Sequence, residues 1–386
     1  MRVLVLGGAG IIGSEVAEHL TKYPDVDEVI LGDILVDKAE KLASKMKKAK
    51  ALKVDVTDRP SLIGQMQKAD VVVGCVGPYY KFGVPIVKAA VEAGINFVDI
   101  MDDPLPSKEV LEDKALFDEA KRKNITVVIG LGSTPGLSNV LARYGASKLD
   151  EVENIDVSWI FTTAAGVASE AVTAHMFNVT SGKVLTYENG NWKEVVPMVD
   201  GREVQDFLEL GNVEVYHVGH PEPVTIPRYI KAKNVTCKAG MVPSEVVEIY
   251  RMLNKLQLVQ LEPINVKGVK VSPRDFIMAR FASLPMDVAM ELFKFDAAEP
   301  LFEMRVAVSG KKGKNPTKYV YKFSDVGHEF ATAISAVIGA IMLGRGQVKE
   351  KGVFAPEGCI EPEIFLKEIK ENGVVIQEMY QTSAEL

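Results

Sequence analysis

Three glycines, Gly8, Gly10 and Gly13, fall in the order GxGxxG directly behind an apolar run, Val3-Leu4-Val5-Leu6. They stand directly before a stretch that reads as helix from Ile11 to about Lys22. Residues of these types at this spacing hold a dinucleotide. Gly8 is expected to allow the tight turn, Gly10 to let the backbone approach the pyrophosphate, and Gly13 to let the helix pack on the strand. The amides of Ile11, Ile12 and Gly13 would then face the phosphates with the helix dipole behind them. GxGxxG alone is a weak signal, and its context here between strand and helix strengthens it. Asp33 ends the next apolar run, EVILGD, twenty residues after Gly13. An acid there accepts hydrogen bonds from the ribose hydroxyls and repels a 2′-phosphate, which favours NAD and leaves NADP possible because Lys38 follows closely. Asp55 ends the third run and is expected near the adenine, a solvated strand-end carboxylate being the alternative. Val76 and Gly77 follow the fourth run, where small residues would let the cofactor cross the strand ends or simply form a turn.

Chemistry on a substrate needs further groups. Hydride transfer needs a reacting carbon held over the nicotinamide and a group that exchanges a proton. Asp102, with Asp103 beside it, follows the fifth run at the carboxyl edge of the expected sheet, where it could bind an ammonium or take its proton; the alternative is a helix-capping or loop carboxylate. His175 and His220 are the histidine candidates, each expected in a loop or at a strand end, with Glu222 and two prolines beside His220. Arg228 is the first choice for holding a substrate carboxylate, with Arg274 and Arg143 as alternatives. His19, His217 and His328 read as ordinary structural residues. Cys75 reads as a small buried apolar residue, and Trp159 and Trp192 as core and surface anchors. No metal site is expected.

These groups require elements to position them. Six Val/Ile-rich runs, at 2–6, 28–31, 51–54, 71–75, 96–100 and 126–129, alternate with helical stretches. Apolar runs without polar alternation suit strands buried on both faces, so an α/β Rossmann fold with a doubly wound parallel sheet is expected. The pattern changes near Ser133-Thr134-Pro135-Gly136, where Thr134 could cap a helix with Pro135 in its first turn. From there to about 325 the runs alternate, at 155–161, 213–217, 235–239, 264–271, 301–308 and 318–323, with a hairpin turn at 311–315. This reads as an inserted α+β substrate and dimerisation domain over 136–325. The dinucleotide domain is then 1–135 with 326–386, ending in helix and a final strand at 374–379.

Bulk properties narrow the function. The 386 residues are nearly half hydrophobic and carry a net charge of −7. No basic face is implied, so neither nucleic acid nor a membrane is an expected partner. Cys75, Cys237 and Cys359 are far apart and odd in number, against a disulfide framework and in keeping with a cytoplasmic location. The first residues run straight into a strand without a charged leader.

Three segments resemble the saccharopine dehydrogenase family, which includes saccharopine reductases and lysine 6-dehydrogenase. They are GPYYKFGVPIVKAAVEAGINFVDIMDD, VVIGLGSTPGLSNVLARY and KEKGVFAPEGCIEPEIFLKEI. The resemblance covers residues 1 to about 145 and about 325 to 370. It implies a Rossmann domain interrupted by a substrate and dimerisation domain, and a homodimer. It also implies hydride transfer between NAD(P) and a carbon bonded to nitrogen in a small amino-acid substrate of the saccharopine or lysine type. Two other functions fit the same residues: a dinucleotide-binding regulator without turnover, and a carboxynorspermidine-type imine reductase. Pocket charge separates the enzymes, because a diamine or polyamine calls for acids and a dicarboxylate for two or more arginines or lysines.

Overall fold

A computed structural model describes residues 1–163, 170–294, 300–326 and 329–383. In chain order the first strands are β1 (Arg2–Leu6), β2 (Glu28–Asp33), β3 (Ala49–Lys53), β4 (Val71–Gly74), β5 (Asn96–Asp99) and β6 (Thr126–Val128). There follow β7 (Glu151–Thr162), β8 (Val184–Glu188), β9 (Asn191–Val195), β10 (Glu203–Asp206), β11 (Asn212–His217) and β12 (Asn234–Val242). The last are β13 (Ile264–Val266), β14 (Val269–Val271), β15 (Phe302–Lys312), β16 (Asn315–Asp325), β17 (Gly352–Phe354) and β18 (Ile376–Thr382). The chain divides into two compact units, residues 1–144 with 329–374 and residues 145–328 with 375–386.

The first unit is built on a parallel seven-stranded sheet in the order β17-β6-β5-β4-β1-β2-β3. Val3 to Leu6 of β1 and all of β4 are buried, because helices cover both faces and leave no face for polar alternation. Strand order reverses at β1, so the ends of β1 and β4 diverge into the crevice where open α/β sheets take their ligands. The helix Glu329–Gly344 contacts β4, β5 and the helix Ile11–Thr21. Its Ile334, Val337, Ile338, Ile341 and Leu343 are all buried, each contributing about 1.5–3 kcal/mol. That explains an apolar run on a helix, and no helix among the described residues is long and apolar enough to cross a membrane.

The second unit is a nine-stranded mixed sheet. Its main path is β10-β11-β12-β7-β15-β16-β18, with β8 on β12 and β9 on β8. β7 and β12 run parallel, while β15 pairs antiparallel with both β7 and β16. The hairpin between β15 and β16 closes at Lys312 opposite Asn315, with Gly313 at φ +61°, which is the turn expected at 311–315.

Several expectations shift. The helix after Gly136 spans Leu137–Ala146, so Pro135 lies outside it, and Gly136 N–H donates to Asn139 Oδ1 at 2.9 Å. The 264–271 run is the separate hairpin β13–β14, since Lys267 and Gly268 turn the chain. β17 joins the first sheet and went unseen in the sequence, being three residues long. The final strand, expected with the dinucleotide domain, pairs with β16 in the second unit, because Ile376 to Thr382 lie in register with Phe323 to Thr317.

Candidate dinucleotide site and a buried His-Glu-Cys cluster

The glycine loop is tied to the neighbouring strand. Gly7 and Gly8 both donate to Gly32 O, at 2.8 and 3.2 Å. The tight turn assigned to Gly8 belongs to Gly7, whose φ is +76°, a conformation that favours glycine. Gly8 is required for another reason, since a Cβ there would lie 2.8 Å from Leu31 Cα. Gly13 packs as expected: a Cβ would stand 2.1 Å from Gly7 O. Gly10 is the extended N-cap of the helix Ile11–Thr21, and no side chain caps that end. The opening amides of Ile11, Ile12 and Gly13 are thus free of side-chain caps in a position suited to phosphate.

Asp33 does more than close β2. Its Oδ2 accepts from Ala9 N–H at 2.9 Å and its Oδ1 from Leu35 N–H at 2.9 Å. The carboxylate therefore stands at the glycine loop and helps hold it. Asp55 is turned onto its own loop, accepting from Thr57 N at 2.8 Å and Thr57 Oγ1 at 2.6 Å, and these bonds hold its carboxyl below the usual range. Val76 and Gly77 are half-buried just beyond β4. A Cβ on Gly7 would lie 2.5 Å from Cys75 O, so the glycine loop and the end of β4 form one surface. Burial pushes the Cys75 thiol up to about 12, which suits a packing residue rather than a nucleophile.

Three carboxylates follow one another at the end of β5. Asp102 is half-buried, and Asp103 is 2% exposed with Oδ2 accepting from Tyr80 N–H at 2.8 Å. Asp103 sits at the N-cap position of the helix Pro104–Glu112 without capping it, so its carboxylate is spent on the neighbouring helix. Asp99 was not singled out from the sequence, where it lies inside the run 96–100. It is 1% exposed, and its Oδ1 accepts from Met101 N at 3.0 Å and Gly130 N at 2.8 Å. Burial raises its carboxyl to about 7 despite these donors. Tyr79 OH donates to Gly74 O at 3.1 Å nearby, its phenol pushed well up by burial.

The second unit holds a separate cluster. β11 pairs with β12 through Tyr216–Ala239 and His217–Lys238, and Val218 N–H donates to Cys237 O. The turn that follows therefore sets His220 and Glu222 beside Cys237. His220 is 2% exposed and its Nδ1 is 2.6 Å from Glu222 Oε2. Glu222 and Cys237 are fully buried, and the donor atoms of all three lie within 4.8 Å of one another. Burial and the adjacent Glu222 carboxylate push the Cys237 thiol well up. The rings of Trp159 and His175 pack on His220 at centroid distances of 5.6 and 5.8 Å.

His175 lies within the helix Glu170–Val179, not in a loop, because Ala174, Phe177 and their neighbours bury a helical face. His220 is in a turn after β11, as expected. Arg228 ends a short 3-10 turn, Ile226–Arg228, with Nε donating to Val224 O at 3.1 Å and its guanidinium 5.8 Å from the Trp192 ring. Arg274 and Arg143 are tied to the fold: Arg274 Nε donates to Val259 O, and Arg143 Nη1 to Ile360 O at 2.9 Å. His217 is buried in β11 and His19 packs on Phe330, so both are structural. His328 lies outside the described residues.

A parallel sheet with a glycine loop at its switch point, packed against small residues of the next strand end, defines a dinucleotide-binding Rossmann domain. Residues 3–128 match the family model described as saccharopine dehydrogenase NADP binding domain. The chain is 24% identical to a carboxyaminopropylagmatine dehydrogenase from Synechocystis sp., over 97% of this chain and 96% of that one. It is also 24% identical to the human saccharopine dehydrogenase-like oxidoreductase, over 50% of this chain and 45% of that one. Among solved structures, the apo saccharopine dehydrogenase (L-Glu forming) of Saccharomyces cerevisiae superposes with a TM-score of 0.70 at 16% identity, covering 99% of this chain and 100% of that one. That likeness extends the fold to both units.

Proposed function

We propose that the protein reduces an imine formed between an amino-acid semialdehyde and an amine, or oxidises the resulting secondary amine, with NAD(P) as hydride carrier. In the reductive sense the bound cofactor would supply a hydride for the imine carbon, and one proton would go to the nitrogen, turning C=N into CH–NH. The observation that carries this reading is the glycine loop of residues 7–13 set against the end of β4, within the segment that matches the saccharopine dehydrogenase NADP binding domain. Asp102 is assigned to the cationic end of the substrate, His220 and His175 to proton handling, and Arg228 to a carboxylate. Gly8, Gly10, Ile11, Ile12 and Gly13 are assigned to the pyrophosphate, Asp33 and Asp55 to the adenosine end, and Val76 and Gly77 to the path across the strand ends.

The substrate class divides into a saccharopine or lysine type and an amine of the carboxyaminopropylagmatine type. The side chains favour the second. Arg143 and Arg274, the reserve choices for a dicarboxylate, are occupied by backbone carbonyls. Asp102 stands half-buried just past the end of β5, where an acid suits a cationic group, and the relative aligned along almost the whole chain carries that name. Saccharopine, lysine and carboxyaminopropylagmatine should each be offered with NAD and NADP, and the reduced nicotinamide followed by absorbance. Turnover is expected with the last. Silence with all three, and with their imine-forming halves in reverse, would sink the proposal; turnover of saccharopine or lysine alone would reassign the substrate.

Asp33 leads to a cofactor prediction. With its carboxylate at the loop, NADH is expected to bind more tightly than NADPH. Asp33→Asn keeps an acceptor for Ala9 N–H and removes the charge, so the preference should fall by about tenfold, or 1.4 kcal/mol. Calorimetric titration of both cofactors checks this, and an unchanged ratio would remove Asp33 from the discrimination.

A further inference from the structure

We propose that Glu222 is a positioning residue that holds His220 in one tautomer, with the proton on Nδ1 and Nε2 left as the nitrogen that exchanges a proton with the substrate. The argument begins with burial. A carboxylate with no exposure is costly unless hydrogen-bond donors reach it. Glu222 is reached by the His220 ring at 2.6 Å, and the Cys237 thiol stands beside it.

An ionised carboxylate only accepts. The short contact is therefore filled by a hydrogen on Nδ1, and a neutral imidazole holds only one. Nε2 is then a bare acceptor. Among the described residues the ring's hydrogen bond is to Glu222. When Nε2 takes a proton, the imidazolium forms against a carboxylate already in place, so little reorganisation is needed. Trp159 and His175, packed around the ring, keep it from rotating to present the other nitrogen. In the reductive direction the Nε2 proton moves to the substrate nitrogen as the hydride reaches carbon, and the ring returns to its neutral Nδ1–H form.

Cys237 belongs to the same device. Its thiol, held protonated by burial and by the carboxylate beside it, is a neutral neighbour of Glu222. It leaves the imidazole as the one group of the trio that can take up a proton to give a cation. The same three donors could instead gather around a divalent cation such as zinc, which binds nitrogen, oxygen and sulfur ligands together. The test must separate these two arrangements.

The tautomer can be read without any substrate. In protein labelled with ¹⁵N at histidine, each of the five rings reports which nitrogen carries hydrogen, and His220→Gln identifies the signal that disappears. With the ring neutral, wild-type His220 is expected as Nδ1–H. Glu222→Gln keeps an oxygen acceptor and should keep that form, whereas Glu222→Ala should release the ring to the Nε2–H form. Should Glu222→Ala fail to fold, the wild type and Glu222→Gln decide the matter. An Nε2–H wild type would overturn the proposal. So would one equivalent of zinc bound tightly with loss of the Nδ1–H signal, which would make the trio a metal site.

The last step rests on the oxidoreductase reading above and has its own readout. With whichever amine the protein turns over, Glu222→Gln should lower kcat by about 10–100-fold while KM moves less than about threefold. An unchanged kcat would remove Glu222 from catalysis. Turnover by the wild type with the wrong tautomer would defeat this inference and leave the proposed reaction standing. The expected tautomer without turnover of any amine would do the reverse.

Discussion

Gly13→Ala is expected to weaken dinucleotide binding by at least about 100-fold, a loss of roughly 2.7 kcal/mol. The added methyl would stand 2.1 Å from Gly7 O, 2.8 Å from Gly7 C and 3.1 Å from Gly8 Cα. All three are backbone atoms, so no side chain can swing aside. Gly7 O is itself fixed, because it accepts from Gly10 N–H at 2.9 Å while Gly7 N–H is held by Gly32 O. The loop must move away from the helix, and the helix-start amides then no longer converge with it on one phosphate group. Overpacking of this kind also costs about 1–3 kcal/mol of stability. Calorimetric titration with NADH, alongside a melting curve, separates the two effects. Gly64→Ala is the control: it lies in the helix Arg59–Met66 with nothing within 4 Å of the added Cβ. That change should be neutral or raise stability by up to about 1 kcal/mol. Gly13→Ala binding NADH within threefold of wild type would show that the pyrophosphate does not sit on this loop.

Asp99→Asn is expected to stabilise the protein at neutral and alkaline pH and to do little at pH 4. Burial raises the Asp99 carboxyl from 3.8 to about 7. The folded chain therefore holds that proton more tightly than the unfolded chain. The stability this gives is fully present below about pH 4, and it is lost as pH rises through the folded value near 7. The span corresponds to about 4 kcal/mol. Asparagine mimics the protonated acid, and its carbonyl oxygen can still accept from Met101 and Gly130, so the variant does not titrate there. Denaturant melts at pH 4, 5.5, 7 and 8 should show the difference growing between pH 4 and 7 and then levelling. A difference independent of pH would mean that the buried carboxyl is not the titrating group.

The sequence exposed the first sheet well for a physical reason. Strands buried on both faces show as unbroken apolar runs, and VLVL, EVILGD and VVVG needed no partner to be recognised. The glycine loop was legible because each glycine is dictated by a close backbone approach, although the positive φ fell on Gly7, one residue before the motif. Asp99 stayed hidden because its meaning lies in burial, which pairing with β4 and the Gly130 amide create. The His220 neighbourhood was half legible. Glu222 is two residues away, but Cys237 reaches the pair only through the β11–β12 register. His175 was misplaced because its helix follows residues with no strong start signal, and Arg274 and Arg143 looked available because their carbonyl partners are distant in sequence. β17 and β18 owe their places to partners more than fifty residues away.

The last of these strands bears on how the chain can be cut. After Gly145 the polypeptide passes to the second unit, returns at Glu329, and leaves again at Val375 to lay Ile376–Thr382 along β16. The second unit is therefore not an insertion that can be excised between two points. A version ending at residue 374 would keep every strand of the Rossmann sheet yet leave the outer edge of β16 bare, with Tyr319 and Tyr321 near unpaired backbone groups. An edge of that length invites pairing with another molecule, and in the full chain the C-terminal ribbon occupies it, which moves the open edge of the sheet out to β18.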